Sequence, residues 1–214
     1  MKRFAASSLL AGLALLAACS HTHTVVVPVP PRVDLHGYNT IGIVEFDANA
    51  ERSISARATR QFQEQIQSAQ PGTRFIELGE RQTLLASLRA TQLDAPTLRK
   101  IGQQYGVAAV FAGDIAYSEP RVDVKISDIA KMEGGVRAEL RGDLSARLFE
   151  TASGASVWSS SSWARRQLGA VSVSEQGVSG GMRNSNPRED MVPALVFEVT
   201  HDFRATSVRQ QVAD

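Results

Sequence analysis

From Val136 to Leu148 the chain alternates apolar and polar residues without a break. Val136, Ala138, Leu140, Gly142, Leu144, Ala146 and Leu148 are interleaved with Arg137, Glu139, Arg141, Asp143, Ser145 and Arg147. Successive side chains of a strand point to opposite faces, so a period of two over this length predicts one long strand with a wet face. A strand this long cannot stand alone, and the flanking sequence offers its partners. Upstream, Arg121-Val122-Asp123-Val124-Lys125-Ile126-Ser127 alternates in the same way, and a connection ending in Glu133-Gly134-Gly135 separates the two runs. Downstream, Ser153-Gly154 predicts a turn, with Ala155 to Ala164 returning as the next strand.

The remaining elements follow from shorter signals. Thr40 to Phe46, Arg74 to Leu78 and Val107 to Ile115 are short apolar runs that read as buried strands. Between them, Ile54, Ala58, Phe62, Ile66 and Ala69 fall at spacings of four and three, the mark of an amphipathic helix from Ser53 to Ala69, which Pro71-Gly72 ends. Glu80 to Leu88, with Leu84, Leu85 and Leu88, is a second helix. Asp94-Ala95-Pro96 opens a third, with Leu98, Ile101 and Tyr105 on its inner face and Gly106 at its end. Ser174 to Asn186 reads as a Gly/Ser/Asn-rich loop. A last helix starts near Pro187, with Met191, Leu195, Val199 and Phe203 at steps of four. The order β-α-β-α-α-β-β-β-α predicts an α/β (α+β) fold, a mixed sheet with helices packed on one face. At 43% apolar and 21% charged residues, the chain has enough apolar material for one sizeable core.

The N-terminus addresses the chain. Met1-Lys2-Arg3 is a short basic head, Phe4 to Ala18 is apolar and small, and Cys19 is the one cysteine of the sequence. This is the secretory pattern, and the apolar stretch is short for a membrane-spanning helix. Leu16-Ala17-Ala18-Cys19 resembles the lipobox of bacterial lipoproteins. That resemblance implies cleavage between Ala18 and Cys19, a diacylglycerol on the Cys19 sulfur and an acyl chain such as palmitate on the freed amine. Ser20 after the cysteine resembles sorting to the outer membrane, with the chain on its periplasmic face. Residues 19–37, rich in Pro and Val, read as a lipidated cysteine and extended tether, reaching at most ~50 Å. A single periplasmic domain is expected over 38–208 and a tail over 209–214. Loss of Lys2 and Arg3 leaves 21 basic against 22 acidic residues, which gives no electrostatic reason to expect a nucleic-acid partner.

Several motifs in this order resemble the curli-secretion-channel lipoprotein family (CsgG-like) and the outer-membrane lipoprotein activators of penicillin-binding proteins (LpoB-like). They are Thr40 to Phe46; Glu80-Arg81-Gln82-Thr83-Leu84-Leu85; Gly106 to Ile115; and Ser153-Gly154-Ala155-Ser156-Val157-Trp158. The resemblance covers Tyr38 to Ala164. It implies a membrane-anchored protein without catalysis, which acts through an envelope protein partner or as one of several copies. In the channel family each subunit inserts two amphipathic hairpins into the membrane. Here 121–148 resembles the first, while Gly177 to Asn186 shows no returning apolar strand. The activators carry a longer Pro-rich tether than this chain does. The expectation from sequence is therefore an accessory or assembly lipoprotein of envelope or surface-structure biogenesis, with an export-pore subunit and a regulator of peptidoglycan synthesis as the alternatives.

No constellation in the sequence argues for an enzyme. His21 and His23 sit on the tether, His36 precedes the domain, and His201 is followed by Asp202 on a helix, where neighbours in sequence do not face each other. Gly177-Val178-Ser179-Gly180-Gly181 departs from a nucleophile elbow, since its second glycine comes one residue early. Glu119, Asp123 and Asp128 are interleaved with Arg121 and Lys125 and read as a solvated edge. No metal-ligand spacing is present, and no cofactor is expected beyond the covalent lipid on Cys19. Trp158 and Trp163 are five apart, so on one unbroken strand they face opposite sides. Trp158 is expected in the core, with Trp163 exposed as a partner contact. Ser159 to Ser162 reads first as the wet end of a hairpin, and as an alternative it suits an edge that receives another chain.

Overall fold

A computed structural model describes residues 22–128, 133–174, 177–182 and 186–213. The chain forms two units, Arg32–Arg204 and one built from its two ends, Met1–Pro31 with Ala205–Asp214. The end unit differs from a tether and a tail. Strand β1 (Thr22–Val29) pairs antiparallel with the last strand, β10 (Thr206–Ala213), Thr22 opposite Ala213 and Val27 opposite Val208. Neither segment alternates on its own, but each supplies the other's ladder hydrogen bonds.

The larger unit runs β2 (Ile41–Glu45), β3 (Asp47–Ala48), α1 (Arg52–Ala69), β4 (Phe75–Glu80), α2 (Arg81–Ser87), α3 (Ala95–Tyr105), β5 (Ala109–Tyr117), β6 (Arg121–Asp128), β7 (Glu133–Glu150), β8 (Ser156–Ser174), β9 (Gly177–Met182) and α4 (Pro187–Val199). A short 3₁₀ turn, His201–Phe203, follows α4. The sheet has the order β4-β2-β5-β7-β8-β9, with β3 beside β5 and β6 beside β7. β2 is parallel to β4 and β5, and the remaining long pairs are antiparallel. The mixed α+β class expected from sequence is what forms.

The helices cover two faces of the sheet, where one was expected. α1 and α4 pack on Ile41, Ile43, Phe111, Leu144 and Leu148. On the opposite face α2 and α3 enclose Val44, Val110 and Ala112. An unbroken apolar run such as Ala109 to Ala112 is what a strand buried on both sides requires. On the first face a chain of rings joins the elements: Phe46 to Phe62 at 5.0 Å, Phe62 to Phe111 at 5.1 Å and Trp158 to Phe203 at 4.6 Å.

The compact unit starts earlier than Tyr38. Leu35 is fully buried, and its backbone N–H donates to Gln70 Oε1 at 2.8 Å. The Gln70 amide also donates to the carbonyls of Val33 (2.5 Å) and Phe203 (3.1 Å), so one buried side chain ties both ends of the unit together.

Helix α3 has the ends its sequence announces. The Asp94 carboxylate accepts from the Thr97 N–H at 3.0 Å, and Gly106 closes the helix at φ 67°, a conformation that favours glycine. The hydrogen bonds from Thr97 hold the Asp94 carboxyl below the usual carboxylate range. Asp94→Ala is therefore expected to lower Tm by about 2–4 °C at neutral pH, as loss of one N-cap does in a domain of this size. Because the folded pKa is depressed, this contribution is present above the unfolded pKa and is lost as pH falls through the folded one. Thermal melts of the two proteins at neutral pH and in strong acid check it; a gap that widened in acid would contradict the cap.

Candidate functional site

The sheet continues beyond its helices. β5 pairs with β7 from Gly142 to Glu150, and β6 takes over the same edge from Glu133 to Glu139. On the other side β8 pairs with β7 along its whole length, and β9 pairs with β8 from Gly169 to Ser174. The outer parts of these strands thus make a four-stranded antiparallel extension, β6-β7-β8-β9.

Register decides which residues share a face, because directly paired residues point the same way. One row holds Val122, Ala138, Gly169 and Met182. The next holds Val124, Val136, Val171 and Gly180, and the third Ile126, Gly134, Val173 and Val178. Every position in the three rows is apolar or glycine. The face is also bare: Val122, Val124 and Ile126 are 61%, 67% and 67% exposed, and Val136 and Val171 are exposed as well. It continues the core face of β7, for Leu140, Leu144 and Leu148 follow Val136 and Ala138 at even positions and are buried. Where α1 and α4 end, the apolar stripe does not.

The other face of the extension is charged on β6 and β7 and small or polar on β8 and β9, where Ala170, Ser172, Ser179 and Gly181 lie. Arg121 lies opposite Glu139 and Asp123 opposite Arg137, pairs that offset one another across β6 and β7. The same face runs into the body as Arg141, Asp143, Ser145 and Arg147 on β7 and Ser159, Ser161, Trp163 and Arg165 on β8. Arg141 binds both carboxylate oxygens of Asp143, at 2.6–3.1 Å. The guanidinium carbons of Arg141 and Arg165 lie 5.2 and 5.3 Å from the Trp163 ring centre.

Trp163 is 58% exposed and Trp158 8%, as their odd spacing predicts. Trp158 Nε1 donates to Asp202 Oδ2 at 3.1 Å, and Arg32 pairs with the other Asp202 oxygen. Asp202 therefore orients the core tryptophan, while His201, on the 3₁₀ turn and exposed, lies 3.9 Å from it. Ala18, Cys19 and His21 lie outside the described residues. His23 falls on β1, and His36 pairs with Asp34 at 2.6 Å and the Pro71 carbonyl, contacts that raise its pKa. The Tyr117 hydroxyl donates to the Arg188 carbonyl, and burial pushes its pKa up to about 12. Among the described residues no three of His, Cys, Asp and Glu gather as a metal cluster.

Gly177 to Met182, expected within a loop, is strand β9, with Ser179 opposite Ser172. The glycines misled: Gly180 has φ 127°, and a Cβ there would collide with the Ala170 carbonyl. It is a close approach of two strands, one of the uses of glycine inside a sheet. The readable signal was the spacing of Val178, Gly180 and Met182 at every second residue.

No protein-family model matches the chain, and no curated protein matches it. Among solved structures it is similar to a PelC dodecamer from Paraburkholderia phytofirmans, 15% identical over 86% of this chain and 99% of that one, with a TM-score of 0.41. A lipoprotein from Neisseria meningitidis is 16% identical over 60% of this chain and 83% of its own, with a TM-score of 0.38. The LpoB C-terminal domain from Escherichia coli is 13% identical over 62% and 87%, at a TM-score of 0.34.

Proposed function

We propose that this chain is a lipid-anchored outer-membrane protein without catalysis whose four-stranded extension enters the bilayer as one stave of a β-barrel pore shared among copies. The observation that carries the reading is the run of exposed apolar residues on one face of β6, β7 and β8 (Val122, Val124, Ile126, Val136 and Val171), backed by charged residues on β6 and β7. In water such a face exposes valines and an isoleucine that would each gain about 1.5–3 kcal/mol on leaving it. Segments 133–141 of β7 and 165–174 of β8 have about the 9–11 residues a tilted strand needs to span a bilayer.

The edges then require further copies. In lipid every backbone N–H and C=O needs a partner, so an open sheet edge cannot remain. β6 and β9 are the edges of the extension. Three antiparallel pairings separate them, so they run in opposite directions, and β6 of one copy meets β9 of the next antiparallel. Four strands from each copy close an even-numbered barrel whose charged face lines the lumen. The sequence favoured an accessory role because no second hairpin was legible; the pairing of β9, six residues long, with β8 supports a second and shorter one.

Anchoring rests on Cys19. Cys19→Ser is expected to abolish incorporation of labelled palmitate and to leave the leader uncleaved, read by mass. The pore is tested by extracting the lipidated protein in mild detergent, imaging it and adding it to planar bilayers. Rings with stepwise conductance are expected; a monomer that gives none would refute the barrel.

A further inference from the structure

Among the described residues no helix covers the wet face of β7 and β8 between Arg147 and Arg165. α2 and α3 cover this side of the sheet over β2 and β5. Beyond Ser145 and Asp143 the face opens into a stripe formed by Arg147, Ser159, Ser161, Trp163 and Arg165. On one side of Trp163 lies a depression of about 460 Å³ lined by Ser145, Arg147, Ser159 and Ser161. On the other lies one of about 210 Å³ lined by Arg121, Arg141 and Arg165 together with Asp123 and Glu139.

The charges along the stripe are not equal in their commitments. Arg141 is taken up by Asp143, and Asp114 by Arg81. Among the described residues neither Arg147 nor Arg165 forms an ion pair; Arg165 lies only against the Trp163 ring. Arg147 stands beside Ser159, and Arg165 is six residues further along β8, about 20 Å at the rise of an antiparallel strand. The stripe therefore offers two guanidinium groups without a carboxylate partner, an exposed indole flanked by Arg141 and Arg165, and a floor of hydroxyls.

We propose that this stripe binds an extended acidic polysaccharide, with the Trp163 ring against the C–H face of one sugar and Arg147 and Arg165 on its carboxylates. An indole 58% exposed presents a flat apolar surface that matches a pyranose ring. Guanidinium groups take carboxylates in two parallel hydrogen bonds. A spacing of ~20 Å is bridged by a polymer and not by a single sugar. A peptide suits the face less well. Over the stripe β7 is paired on both sides, while β8 keeps an open edge before Gly169; the residues beside Trp163 are charged or hydroxylated and give peptide side chains little apolar surface to anchor on. The stripe lies in the body from Arg147 and Ser159 to Trp163 and meets the spanning segment of β8 at its first residue, Arg165.

The test titrates the full lipidated protein, in non-ionic micelles, with oligogalacturonate, read by calorimetry and by tryptophan emission. Saturable binding that weakens as salt rises is expected, with a change in emission from Trp163 that Trp163→Phe removes. Arg165→Gln and Arg147→Gln, both exposed and so without effect on the fold, are each expected to weaken binding at least fivefold. Maltohexaose, of the same kind but uncharged, is expected to give no signal. Equal binding of maltohexaose or of poly-glutamate, full affinity in both arginine variants, or no binding of oligogalacturonate would each overturn the assignment.

Discussion

Replacing Val124 and Val136 together with arginine is expected to abolish conductance and vesicle binding through the extension while the body stays folded. The two residues are direct partners in the middle of the three apolar rows, so in a barrel both would face lipid near the bilayer centre. A charge at that depth on the lipid face costs about 2–4 kcal/mol. Two of them cost ~4–8 kcal/mol, enough to lower the inserted population by three orders of magnitude or more. In water the same substitutions cost little, because both side chains are already exposed. Circular dichroism should match the parent. The opposite face supplies the control: Lys125→Gln leaves the apolar rows intact and is expected to preserve insertion, changing only ion preference through the lumen. Flotation of residues 20–214 with vesicles, beside single-channel recording, reads all three proteins. Undiminished flotation and conductance in the double arginine variant would remove the apolar face from the mechanism.

What could be read in advance depended on whether a signal was local. β7 was legible because its alternation runs unbroken along one strand, and α3 because Asp94, Pro96 and Gly106 each act within a turn of the helix end. The parity of Trp158 and Trp163 held because both lie between the two irregularities of β8, one at Val157 and one at Leu168. The second irregularity hid the rest. Between Ala138 and Glu139 the partner on β8 jumps from Gly169 to Gln167, a bulge that leaves Leu168 unpaired. The jump moves the apolar set of β8 from even positions, Trp158 and Ala164, to odd ones, Val171 and Val173, so no single period spans the strand. Glycines then disguised β9 as a loop, and the ladder between β1 and β10 joins segments at opposite ends of the chain, which no window of sequence compares. The apolar face of the extension was half visible for the same reason: its first hairpin is local, and its three rows exist only once register is known.

Phe111→Ala is expected to be the most damaging truncation in the body, lowering stability by about 3–5 kcal/mol. Its ring is fully buried and meets Phe62, Phe75, Trp158 and Phe203 at centroid distances of 5.1, 6.1, 5.9 and 5.7 Å. These neighbours come from α1, β4, β8 and the 3₁₀ turn, so the cavity left behind borders four elements that would each have to move to fill it. Rigid ladders on both sides of β5 resist that collapse, which places the cost toward the upper end of the range. The loss also reaches Asp202, since Phe203 and Trp158 bracket the hydrogen bond that Trp158 makes to it. Chemical denaturation of the parent, Phe111→Ala and Trp163→Ala separates burial from mere aromaticity. Trp163, exposed on the wet face, should change stability by no more than ~0.5 kcal/mol. Comparable losses in the two variants would mean that the aromatic chain through Phe111 is not what holds the helices to the sheet.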